Sequence, residues 1–402
     1  MKGETQGNGG FQTNHTMIII VSIILTMTFT MRASNNMFVT TVPLLSSHVF
    51  LFSNVTLGIL VSISSVATFI SSTFLNARLN SRSRRKALIG STILYAVVFP
   101  LFYISSSVTI WLILPTATFT LGIIMPNIIT SASLFKDRRV RERILSIYTL
   151  VLSFSLIMGP LIESQILKYY SLEQSFLFFS VFPLVALIDS FFLKFPGDPK
   201  VVKRKGFDFS VLKNRGFGIA LLNILAYNLP FAFLTTYGGI YGHDIFGESY
   251  SLVNITFSAF FASSFISRLL FSWKVPAKLW TLMVIAVILS GIGLFILGTA
   301  PDYDLFLVAF IILGVPHGLT YPLSVMSITR NFSEESRNGA NSYFFSIMML
   351  VGAAMPFISG EVIFLVGYRD GFLLLIPAIF VILLFLLRLI RTDNGKMSVS
   401  DA

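Results

Sequence analysis

Residues 77–86 read Ala77-Arg78-Leu79-Asn80-Ser81-Arg82-Ser83-Arg84-Arg85-Lys86. Half of these positions are cationic, yet apolar runs, 55–76 and 87–106, bound the stretch on both sides. A run of roughly 20 apolar residues matches the hydrocarbon thickness of a bilayer. A short loop rich in Arg and Lys marks the cytoplasmic side of a membrane. The helices of a soluble hairpin would carry charge along their length. Here the charge is confined to the turn, so the stretch reads as the link between two membrane spans.

The same pattern repeats outward in both directions. The chain has 402 residues, 54% hydrophobic and 12% charged, with a mean hydropathy of +0.81. A soluble protein of this length needs far more charge to cover its surface. Twelve spans are expected: 17–45, 55–76, 87–106, 109–134, 144–168, 174–193, 216–240, 251–273, 279–300, 304–328, 340–366 and 371–391. The first is too long for a cleaved signal peptide and no small-residue cleavage site closes it. Basic clusters recur at Lys136, Arg138, Arg139, Arg141 and Arg143, and again from Lys194 to Arg215. The alternate loops carry only Lys168 and Arg369. Both termini are therefore expected in the cytoplasm, in a multi-pass protein of the plasma membrane.

The net charge of +11 belongs to these loops, so nucleic acid is not expected as a partner. The chain has no cysteine, which excludes disulfides and thiolate metal sites. Its four histidines lie far apart in sequence, so neither a metal centre nor a cofactor is expected. The longest polar stretch, 194–215, holds Pro196, Gly197, Pro199 and Gly206 and reads as a linker. It separates a first six-helix bundle, 1–193, from a second, 216–402. An offset of 196 residues brings Gly122 onto Gly318, Pro126 onto Pro322, Arg141 onto Arg337 and Pro160 onto Pro356. Several matches at one offset, without a gap, indicate duplication.

Two six-helix halves in one orientation, joined by a basic linker, resemble the major facilitator superfamily over essentially the whole chain. The loop 77–86 is similar to that family's pattern Gly-x-Leu-x-Asp-Arg-x-Gly-Arg-Lys. It keeps Leu79, Arg82, Arg85 and Lys86 and lacks the glycines and the aspartate. Its basic part would grip lipid phosphates or helix C-termini. Gly159-Pro160 resembles the start of the family's antiporter element, but Glu163 and Ser164 replace its last glycines. Thr116 stands where many proton-coupled members carry an arginine. The resemblance implies an all-α polytopic protein that works by alternating access.

Within the first span, Thr28, Arg32, Asn36 and Thr40 recur every four residues and form one polar stripe. An unpaired arginine at a helix centre costs about 2.5–3.5 kcal/mol on insertion scales, and its guanidinium stays charged. Arg32 should therefore face water or a partner rather than lipid. The alternative is a structural cation holding backbone carbonyls. By resemblance, Arg32, Asn36, Asn127, Tyr227, Asn228, His317 and Tyr321 line the substrate path. Asn127 and His317, each beside a proline, also suit the satisfaction of kink carbonyls. Gly122, Pro126, Gly159, Pro160, Gly318 and Pro322 are the expected bending points. Glu163 and His317 are the candidates for proton coupling. Glu163 otherwise reads as a wetted glutamate at the outer mouth beside Lys168.

No phosphate-binding loop and no converging catalytic set is found, so an enzyme is not expected. The reading is a secondary transporter, monomeric, of a small organic and anionic solute, because Arg32 is the one fixed charge on the path. Export of hydrophobic compounds is the alternative within transport. A non-transporting receptor or an intramembrane enzyme is the alternative outside it.

Overall fold

The structure is a computed structural model that describes residues 9–132, 138–193, 195, 209–273 and 278–400. Most of the expected linker lies outside those residues, as does Lys136. The helices are α1 Gly9–Thr40, α2 Asn54–Ile70, α3 Ser81–Val98, α4 Ile110–Ala132 and α5 Arg138–Ile166. They continue with α6 in two pieces, Leu172–Phe179 and Val181–Phe192, then α7 Arg215–Phe246 and α8 Tyr250–Trp273. Next come α9 Leu279–Thr299, α10 Tyr303–Asn331, α11 Glu334–Leu373 and α12 Leu375–Ser400. Among the described residues there is no strand, and eleven helices are long and apolar enough to cross a membrane. α12 adds a twelfth apolar run, residues 375–390.

Local chemistry sets several ends. Asn80 caps α3, its side chain accepting from Ser83 N at 2.8 Å. Asn214 and Asp302 do the same for α7 and α10. α7 stops at Gly247, whose φ of 71° suits glycine. α11 breaks at Gly367 (φ 81°, ψ 176°), one residue beyond the expected end of that span. α1 begins at Gly9, ahead of the expected Met17, and beyond Thr40 it continues through Val42–Leu44 into a π-turn, Leu45–Val49.

Large apolar side chains point outward, as lipid requires. Leu112 of α4 is 74% exposed and Leu365 of α11 is 76% exposed. Between such helices no water is expelled on packing, so close approach and hydrogen bonds hold them together. Gly122 of α4 meets the end of α2 closely enough that a methyl there would overlap Ser71 Oγ and approach the Thr68 carbonyl to 2.5 Å. Gly318 of α10 meets α8 in the same way, against Ser267 Oγ and the Ser264 carbonyl. Each residue of the second set lies 196 positions after its counterpart. The offset found in the sequence thus also relates two helix crossings.

The chain forms two compact units. One holds Met1–Met37, Ala67–Gly159 and Glu173–Val201. The other holds Phe38–Val66, Pro160–Leu172 and Val202–Ala402. The second unit takes in the segments of α1, α2 and α5 that lie away from the basic loops. The α2 segment packs on α7 and α11, and the α5 segment meets the end of α1 through Glu163 and Thr40. At its opposite end, Phe217, Ala220 and Ile224 of α7 form a buried cluster with Ile328, Ala340 and Phe344.

Candidate functional site

In the first unit the site is built on α1. Thr28 and Asn36 are at most 2% exposed, so the stripe faces protein rather than lipid. Thr28 satisfies its hydroxyl on the Ile24 carbonyl at 2.6 Å. Arg32 is half-buried, and its Nε has no hydrogen-bond partner among the described residues. Among those residues no carboxylate lies in ion-pair range of it. Its titratable neighbour is Tyr148 of α5, 4% exposed. Two residues along α1, Tyr95 of α3 donates to Ser34 Oγ at 3.2 Å. Gly159 lies against Ala33 and Asn36, bringing α5 close to α1. The tyrosines were not legible in the sequence, because nothing in their spacing separates them from packing aromatics.

Asn127 is fully buried, and its amide donates to Asn76 Oδ1 at 2.9 Å and to the Ile123 carbonyl at 2.8 Å. It braces α4, one residue past Pro126, against the end of α2. Arg82, Arg85 and Lys86 line one basin with Ile89 and Phe195. Arg85 donates to the Phe191 carbonyl at 3.1 Å, in the last turn of α6. A cation at a helix C-terminus is favoured by the exposed carbonyls there.

In the second unit His317 sits in an aromatic box. Its ring stacks on Phe231 at 4.7 Å and meets Tyr227, Phe260 and Phe261 within 5.8 Å. Its Nδ1 lies 2.8 Å from Ser264 Oγ. Tyr227 is 3% exposed, with its hydroxyl unpartnered among the described residues. Tyr227 and His317 are thus brought together. Tyr321, one turn further along α10, instead meets Phe345 of α11 and is 38% exposed. Asn228 donates to the Met348 carbonyl at 3.1 Å, tying α7 to α11. Pro322 leaves the Gly318 carbonyl without its helical donor, and Arg268 Nε faces that oxygen at 3.5 Å.

Glu163 is fully buried, not wetted at a mouth. Thr40 donates to its Oε2 at 2.7 Å, and Oε1 has no partner among the described residues. Lys168 turns away to Gln165, at 2.8 Å.

The end of this unit opposite the basic loops is tightly closed. Tyr237 of α7 donates to the Asn54 carbonyl of α2 at 2.8 Å and to the Pro356 carbonyl of α11 at 3.0 Å. Gly58 of α2 and Gly360 of α11 let those backbones cross at contact distance, each with the Tyr237 hydroxyl 2.7 Å from where a Cβ would sit. The Phe357 amide donates to Ser62 Oγ at 3.1 Å. Tyr368 donates to Asn54 Oδ1 at 3.1 Å. Beside them His48 Nε2 and Asp244 Oδ1 are 2.8 Å apart. The histidines are far apart in sequence, but His48 and His243 meet with ring centroids 4.6 Å apart. One signal was present: Asp244 lies 196 residues after His48, the offset of the repeat.

The model of the family described as Major Facilitator Superfamily matches residues 24–300 and 277–401. An uncharacterized MFS-type transporter of Bacillus subtilis (strain 168), YhcA, is 30% identical over 177 residues, 42% of this chain. That match spans 31% of the relative's length. The solved nucleoside transporter NupG superposes with a TM-score of 0.73 at 13% identity, over 92% of this chain and 99% of that one. A mutant of the peptide transporter POT superposes with a TM-score of 0.76 at 11% identity, over 92% and 94% of the two chains.

Proposed function

The chain belongs to the Major Facilitator Superfamily, and from that premise we propose that it is a secondary active transporter of a small organic anion. It works by alternating access between two six-helix halves, 1–193 and 216–402, joined by the linker 194–215. The observation that carries the anion preference is Arg32. It is a permanent cation on an inward-facing stripe, with no carboxylate in ion-pair range among the described residues. A charge in that position is costly until water or a ligand completes it, and a planar guanidinium matches a carboxylate or phosphate bidentately. A thermal-stability screen of the purified protein against carboxylates, organic phosphates, neutral solutes and amines tests this. Stabilisation by anions, absent from Arg32→Gln, supports the reading. Stabilisation only by amines or by bulky neutral compounds favours the hydrophobic-compound exporter instead.

In this reading the closed end around Tyr237 is the outer gate, and the protein is a monomer in the plasma membrane with both termini cytoplasmic. The loop charges support that orientation. In cells, a cysteine at Asn54 is expected to react with a membrane-impermeant maleimide added outside, and a cysteine at Ser83 is not. The native chain has no cysteine, so labelling has no background. The reverse pattern sinks the topology.

Protons are the proposed coupling ion, with Glu163 or His317 as carrier. Glu163 suits the role because its carboxyl is buried with one oxygen unpartnered among the described residues, so charging it costs desolvation. Uptake driven by a pH gradient is expected to fail in Glu163→Gln or His317→Gln while solute exchange persists. Undiminished pH-driven uptake in both variants removes these groups from the coupling.

A further inference from the structure

We propose that His48, His243 and Asp244 form a binding site for a divalent transition metal of the zinc class, which clasps the end of α1 to the end of α7. One ring nitrogen of each histidine and one carboxylate oxygen lie within 4.8 Å of one another. The two histidines come from segments almost two hundred positions apart, so their meeting is a product of the fold. Their electronic state suits coordination. His243 Nδ1 is 2.6 Å from the Glu248 carbonyl. A carbonyl only accepts, so Nδ1 carries the proton and Nε2 presents its lone pair. This is the outer-sphere arrangement of metal-binding histidines, in which the remote N–H is held by a backbone oxygen. His48 uses Nε2 towards Asp244, and its Nδ1 is buried without a partner among the described residues.

Neighbouring aromatics fix the rings. Tyr250 stacks on His243 at 4.5 Å and on His48 at 5.6 Å. Tyr368 hydroxyl lies 3.5 Å from Asp244 Oδ2, orienting the carboxylate. The His48 and Asp244 side chains are 19% and 33% exposed, so an ion reaches them from solution. Two imidazoles and one carboxylate favour Zn2+, Cu2+ or Ni2+ over Mg2+ or Ca2+, which prefer all-oxygen sets. Zinc bonds of about 2.0–2.2 Å require this set to close by roughly 1 Å, with water as a fourth ligand. When the metal takes His48 Nε2 in place of the hydrogen bond to Asp244, the ring proton resides on Nδ1, so the imidazole stays neutral.

Two consequences follow. The binding itself is independent of any transport reading. The locking of the outer gate by bound metal rests on the alternating-access proposal above.

The experiment titrates tag-free, full-length protein with Zn2+ by calorimetry. One Zn2+ per chain at micromolar or tighter affinity is expected, with no response to Mg2+. His48→Gln and His243→Gln should each weaken binding at least tenfold. No saturable binding in the wild type overturns the site, as does wild-type affinity in both variants. Should the variants not fold, Cu2+ bound to the wild type is read by electron paramagnetic resonance. Nitrogen couplings from two imidazoles are expected, and their absence overturns the site. For the lock, Zn2+ is expected to slow outside labelling of a cysteine at Thr41 several-fold, an effect lost in His243→Gln. Tight Zn2+ binding with unchanged labelling overturns the lock and points to failure of the alternating-access reading rather than of the site.

Discussion

Gly58→Leu and Gly360→Leu are each expected to yield a folded protein that cannot close its outer gate, with transport reduced at least about tenfold. The reason is backbone geometry. A Cβ on Gly58 overlaps the Pro356 carbonyl, and one on Gly360 comes to 2.5 Å from the Asn54 carbonyl. Both also meet the Tyr237 hydroxyl at 2.7 Å. Carbonyls of a helix or its first turn cannot rotate aside as a side chain tip can. Overpacking of this kind costs about 1–3 kcal/mol, and each ~1.4 kcal/mol is a factor of ten in a population. Under the alternating-access proposal the helices part at this crossing, so the cost falls on the closed arrangement. The conformational balance therefore moves outward by about tenfold to a hundredfold. Outside labelling of a cysteine at Thr41, a position fully buried here, should quicken by a similar factor. Wild-type transport with unchanged labelling in both variants would show that this crossing is not a gate.

The second large effect concerns Arg32. Arg32→Gln should weaken the binding of an organic anion by about ten- to a hundredfold, in keeping with the ~1.5–3 kcal/mol of a hydrogen bond to a charged group. Arg32→Lys should fall between the two, because it keeps the charge and loses the planar fork. Folding itself should not suffer. No ion pair is broken among the described residues, and removing a half-buried, incompletely bonded guanidinium relieves desolvation. Increased thermal stability of apo Arg32→Gln with lost anion binding is the expected pairing. Lower stability with unchanged anion affinity would make Arg32 a structural cation.

Much of the architecture was legible in the sequence because lipid demands it. Apolar length follows from the bilayer thickness and needs no knowledge of tertiary contacts, and the 196-residue offset, a trace of duplication, reappears in the crossings at Gly122 and Gly318. The expected path residues were less legible. Asn127 and Asn228 are polar residues deep in apolar helices, and spacing alone cannot separate a path-lining amide from one that bonds a neighbouring helix. The structure gives both amides donor bonds, to Asn76 and to Met348. For Glu163 the sequence leaves two readings open, a proton-coupling carboxylate and a wetted glutamate at the outer mouth. Its burial depends on how α1 packs over it through Thr40, which no one-dimensional pattern carries. The crossing proposed as the outer gate is not legible for a related reason. Gly58, Gly360 and Tyr237 are ordinary residues in apolar helices, and they come together only where three helices cross.

The central claim is that this chain exposes one anion site alternately to the two sides of the membrane. Counterflow in proteoliposomes tests it most directly, using the anion identified by thermal stabilisation. Vesicles loaded with unlabelled anion and diluted into a trace of labelled anion should show a saturable, transient overshoot of label. The overshoot should be absent from Gly58→Leu and strongly reduced in Arg32→Gln. Label entry in the wild type that rises linearly with concentration, without overshoot, would contradict the account.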